Sequence, residues 1–133
     1  MTASANMEVL KLRVILAEYV LEEAAWRRTQ AAERLADRRH RRCAAGLDEL
    51  AGYILCLGTD DERLLELTRV CHDDLELGVF APWPDGRVRR LIAWFRFDDA
   101  QQTPAGILRR LLRACVADKL EMAYATGLLS DDA

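Results

Sequence analysis

Between Met7 and Leu57 the chain has no proline, and its first glycine is Gly46. A stretch that long without a breaker points to helix. Leu10, Val14, Ala17, Leu21, Ala24, Ala31 or Ala32, and Leu35 recur at alternating three- and four-residue spacing, which lines them up on one helix face. Glu18, Glu22, Glu23 and Arg27 fall largely off that stripe, and Glu23 with Arg27 makes a favourable i,i+4 pair. The spacing predicts a helix from about Met7 to Ala36. The stripe then fails over Asp37–Arg42, which is polar all round, and resumes at Cys43, Leu47, Leu50, Ile54 and Leu57. Residues 7–57 therefore read as one long N-terminal helix or as a helical hairpin, stopped by Gly58.

Residues 59–127 carry further helices. Thr59 is a cap with Glu62 at the capping-box position, and Leu64, Leu67, Cys71 and Leu75 form the buried face before Gly78. Pro82, Pro84 and Gly86 forbid regular structure around Trp83. A short helix follows, with Val88, Leu91, Ile92 and Phe95 on one face. Thr103–Pro104 starts the last helix, a capping threonine followed by proline at the first helical position. Its apolar residues are Ile107, Leu108, Leu111, Leu112, Cys115, Val116, Leu120 and Ala123, and residues 128–133 form a frayed tail. The expected fold is an all-α bundle of about five helices with a long N-terminal helix, in a single domain over 1–133. A chain of 133 residues buries roughly 65–70% of its unfolded surface, so a core needs no staples.

The long helix carries a further implication. Thirty residues at 1.5 Å each span ~45 Å, more than the remaining helices cover in one compact bundle. Burying the stripe against a second copy is the simplest solution, so Leu10, Val14, Leu21 and Leu35 are the expected dimer interface.

Charge is unevenly placed on a chain of net charge -3. Arg27–Arg42 holds seven arginines against Glu33 and Asp37, while Thr59–Gly78 holds seven acids against Arg63 and Arg69. The basic segment either pairs with acids of this or another protein or grips phosphates. Arg34, Arg38, Arg39, Arg41 and Arg42 are the candidate partner-binding residues. Trp83, held between two prolines, and Trp94, off the core stripe, are candidate aromatic anchors.

Motifs for chemistry are weak. His40 and Cys43 share a helix face, but Cys71 and His72 are adjacent and supply a poor second ligand pair, so no metal site is expected. Asp37 and His40 have the spacing of a di-metal bundle ligand pair in one copy only. The glycines never form a phosphate loop, and no cofactor or catalytic residue is expected. Cys43, Cys56, Cys71 and Cys115 lie among apolar residues and read as buried reduced thiols of a cytoplasmic protein. There is no signal-like start and no run of ~18 apolar residues, so no membrane partner is expected. Lys11 and Lys119 are the only lysines beside many arginines, the coding bias of a GC-rich bacterium. The reading is a non-enzymatic interaction module (a regulator, adaptor or small assembly subunit) that self-associates through its first helix. The alternative is a nucleic-acid-binding protein using Arg27–Arg42. The third is a small helical enzyme such as a nuclease.

Overall fold

The computed structural model describes residues 3–34, 38–82, 86–93 and 103–125, and side chains from residue 7 onward. These residues form six helices and no strand: α1 (Ala3–Glu33), α2 (Arg39–Leu55), α3 (Glu62–Val70), α4 (His72–Leu77), α5 (Arg87–Ala93) and α6 (Pro104–Ala125). The fold is the all-α bundle that the spacing predicts. No helix among the described residues is long and apolar enough to cross a membrane.

α1 and α2 pair as the two arms of a hairpin. Arg13 donates to the carbonyl of Leu57, Arg27 reaches His40, and Arg28 pairs with Asp48 at 2.7 Å. Low numbers on α1 thus meet high numbers on α2, which sets the two helices antiparallel. Ala17, Ala24 and Ala31 are buried on α1, and Ala44, Gly46 and Ala51 on α2. Small side chains let helix axes approach closely.

α1 buries the alanines of the stripe that its spacing suggests, but not that stripe's larger residues. Val9, Leu12, Leu16 and Val20 are fully buried, and Ile15 nearly so. Leu10, Val14 and Leu21 are 43%, 48% and 38% exposed. The helix is apolar on two faces, and the bundle takes one. Leu47, Leu50, Ile54, Leu64, Leu67, Ile92, Ile107, Leu108 and Leu111 complete the core around it. On α6 the spacing is similarly only half right. Val116 and Leu120 are exposed, whereas Ala114 and Asp118 are buried.

The acidic segment starts its helix later than the sequence suggests. Asp61, not Thr59, is the N-cap of α3. Its backbone is extended, and its carboxylate accepts from the N–H of Arg63 at 3.0 Å and of Leu64 at 3.2 Å. Glu62 is then the first helical residue rather than a capping-box partner. Arg63 spans from Asp61 to the hydroxyl of Tyr53 on α2, at 3.0 and 2.8 Å. Burial pushes the Asp61 carboxyl up, but the Arg63 hydrogen bond and the two N–H groups outweigh it and hold it below its ordinary 3.8. Because the folded value is depressed, the stabilisation is fully present above pH 3.8 and is lost as pH falls through the folded value. Asp61→Ala is expected to cost about 1 kcal/mol at neutral pH and almost nothing in strong acid, measured by urea unfolding across pH.

One expected helix over the acidic segment is two. Thr68 is buried and turns its hydroxyl onto the carbonyl of Leu65 at 2.6 Å, a back-bond that bends helices. The break follows at Cys71, with φ -100° and ψ 23°. α4 ends at Gly78 in the left-handed conformation, φ 74°, which a glycine adopts without a Cβ clash. The start of α6 is as expected, with the Thr103 hydroxyl accepting from the N–H of Gly106 at 3.1 Å.

Candidate interaction surface

A helix with one face in a core normally presents polar residues on the other. α1 does not. At 100° per residue, Met7, Leu10, Val14 and Leu21 lie within a strip about 60° wide, with Ala25 and Ala32 continuing it. Met7 is 69% exposed, and Ala25 and Ala32 are exposed. Lys11 and Glu18 border the strip on its outer side. On the other side, the Arg28–Asp48 pair fixes which flank of α2 adjoins it. Seven residues along α2 from Asp48, two helical turns, stands Leu55, 42% exposed. In the antiparallel hairpin that step runs back along α1 from Arg28 to Leu21. Gly52 and Ala45 on the same flank are exposed, and a Cβ at Gly52 would meet open space. The surface is therefore an apolar strip beside a shallow, small-residue shoulder. Leu10, Val14 and Leu21 belong to it. Leu35 lies outside the described residues.

The arginines collect at one end of the hairpin. Arg34 follows the last turn of α1, and Arg38, Arg39, Arg41 and Arg42 open α2; all five are exposed. Arg28 pairs with Asp48 and Arg27 lies 4.0 Å from Glu23, so both find partners within the hairpin rather than on α3 or α4. Four acids of the other segment pair elsewhere: Asp61 with Arg63, Glu66 with Arg69 and Glu76 with His72 locally, and Asp74 with Lys119 of α6.

Beneath this apex sits a cluster that spacing alone does not reveal. The Arg27 guanidinium lies 5.1 Å from the Trp26 ring centroid and donates to the Ala93 carbonyl at the end of α5. It also stands 3.2 Å from Nδ1 of His40. A guanidinium only donates, so in this contact Nδ1 is the acceptor. His40 packs edge-on to Trp26 with centroids 6.0 Å apart. The sequence signal for this cluster was a tryptophan off the core stripe beside an arginine. Trp83 and Trp94 lie outside the described residues.

His40 meets Arg27, His72 meets Glu76 on the surface, and neither lines the cavity of about 530 Å³ between Tyr19, Cys71, Val88 and Cys115. Among the described residues no three metal-ligating side chains converge. Three of the four cysteines are buried, but Cys56 is exposed. It caps the C-terminus of α2 two residues after the inward Ile54, a step of about 200° that carries it away from the core. Compared with protein-family models, curated proteins and solved structures, the chain matches none.

Proposed function

We propose that this chain is a non-enzymatic interaction module of the cytoplasm, a regulator, adaptor or small assembly subunit, that self-associates through α1. The observation that carries this reading is the Leu10–Val14–Leu21 strip, left in water after the bundle has buried the opposite face of the same helix. A surface strip of this kind gains free energy by meeting another apolar surface, at about 25 cal/mol per Å² removed from water. A two-fold pair of α1 helices brings the strip against its own copy and satisfies both at once. Light scattering at micromolar concentration tests it: the expected mass is about twice 15.1 kDa, and the mass of one chain overturns it.

The exposed arginines at the apex favour nucleic acid as the second reading. That reading requires binding that falls steeply with salt, because each neutralised phosphate releases counterions. The expected result is no oligonucleotide shift at about 150 mM salt. Replacing Arg38, Arg39, Arg41 and Arg42 with glutamine is expected to change stability by about 1 kcal/mol or less, since all four side chains are exposed. A clean shift at that salt, lost in the quadruple variant, would put nucleic acid first.

A further inference from the structure

The cavity of about 530 Å³ is bounded by α1, the α3–α4 junction, α5 and α6. Cys71 and Cys115 both line it, from the α3–α4 junction and from α6. The two thiols lie near enough to perturb each other's protonation. Asp74, three residues after Cys71, reaches Lys119, four after Cys115, with Nζ 3.7 Å from Oδ1. The two helices therefore oppose a thiol to a thiol and an acid to a base along one seam, at the wall of a space large enough for small molecules. Tyr19 and Arg89 line the same cavity. Burial pushes the Tyr19 hydroxyl up to about 12, so it remains neutral there.

We propose that Cys71 and Cys115 are a reversible dithiol site for small hydroperoxides that enter this cavity. In the first step the Cys71 sulfur, its proton released, attacks the terminal oxygen of the hydroperoxide. The O–O bond breaks and an S–O bond forms, giving a sulfenic acid, while the departing alkoxide takes up that proton and leaves as an alcohol. In the second step the Cys115 sulfur attacks the Cys71 sulfur. The S–O bond breaks, the S–S bond forms, and the hydroxyl leaves as water with the Cys115 proton. One hydroperoxide is reduced by two electrons and the two thiols become one disulfide. A small dithiol returns the pair to its starting state by exchange.

The roles follow from the surroundings. The neighbouring Cys115 thiol holds the Cys71 thiol below its ordinary value, with Lys119 assisting, against burial and the charge of Asp74. The Cys71 thiol beside it, then burial and the Cys71 charge, push Cys115 up. Cys71 thus has the greater thiolate character, the form that attacks, and Cys115 supplies the proton and the second sulfur. Cys56 is exposed and does not line this cavity, and it serves as the internal comparison.

The test uses the full chain, hydrogen peroxide, an alkylating quench and non-reducing peptide mass mapping. The expected product is a Cys71–Cys115 cross-link that is reversed by dithiothreitol, with Cys56 recovered alkylated. It should form about tenfold faster in folded protein than in urea, since the folded cavity supplies the pairing and the thiolate character. In Cys115→Ser, dimedone is expected to trap a sulfenic acid at Cys71. If that variant does not fold, the wild-type map still decides. Oxidation first at Cys56, or a cross-link that appears only after unfolding, would overturn the proposal.

Discussion

Leu21→Glu is expected to leave the bundle folded and to give the light-scattering mass of one 15.1 kDa chain, where the wild type gives about twice that. Leu21 is on the exposed strip of α1, so in the isolated chain the substitution exchanges one solvated side chain for another. Its effect on unfolding free energy should stay within about 0.5 kcal/mol. In a two-fold pair the residue occurs twice, and each copy loses leucine burial and brings a carboxylate to an apolar contact. Two such losses amount to roughly 3 kcal/mol or more, a 100-fold or larger rise in dissociation constant. Leu16→Glu is the contrasting variant. Leu16 has no exposure, so the same change buries a charge in the core and should unfold the chain. A Leu21→Glu protein that remains a dimer would move the interface elsewhere. The exposed Val116, Leu120 and Tyr124 on α6 form a second apolar stripe at helical spacing, and would be the next surface to substitute.

These two leucines also explain why α1 is legible as a helix but not as a packed helix. Periodicity counts apolar residues at three and four, and α1 satisfies that count twice. One set runs through Val9, Leu12, Leu16 and Val20, the other through Leu10, Val14 and Leu21. Which set meets the core depends on where α2 and the C-terminal helices sit, information that lies outside the segment. Alanines complicate the choice further, because Ala17, Ala24 and Ala31 fall between the two faces and are buried as well. α2, with a single apolar face at Cys43, Leu47, Leu50 and Ile54, is read correctly from spacing alone. The caps divide along similar lines. Thr103 stands directly before Pro104 and has no rival. Thr59, Asp60 and Asp61 are three adjacent cap formers, and the choice of Asp61 depends on Arg63 reaching Tyr53 on a neighbouring helix. The surface strip is legible as residues, whereas the Trp26–Arg27–His40 cluster and the Cys71–Cys115 seam need the tertiary arrangement.

Asp118 is the largest departure from pattern, and Asp118→Ala is expected to destabilise the chain by about 3 kcal/mol in urea unfolding. An acid at the buried stripe of α6, three residues after Cys115, has to be explained by what it binds. Its carboxylate accepts from the N–H of Arg87 at 2.9 Å and of Val88 at 3.1 Å, the first two residues of α5. Helix starts leave such N–H groups without partners, and local caps usually supply them. α5 takes its cap from another helix instead, with only 4% of Asp118 exposed. Arg87 adds its guanidinium at 3.6 Å. Hydrogen bonds to a charged acceptor contribute about 1.5–3 kcal/mol each, and the alanine variant would take the acceptor from both donors. Asp118→Asn retains one carbonyl acceptor and nearly the same shape, so about half the loss is expected. Since α5 is only seven residues long, it should fray when the cap is removed. Faster amide exchange at Val88, with α1 and α2 still protected, would locate the defect there. A loss below about 1 kcal/mol with unchanged exchange at Val88 would mean that α5 is held by its buried Val88 and Ile92 rather than by Asp118.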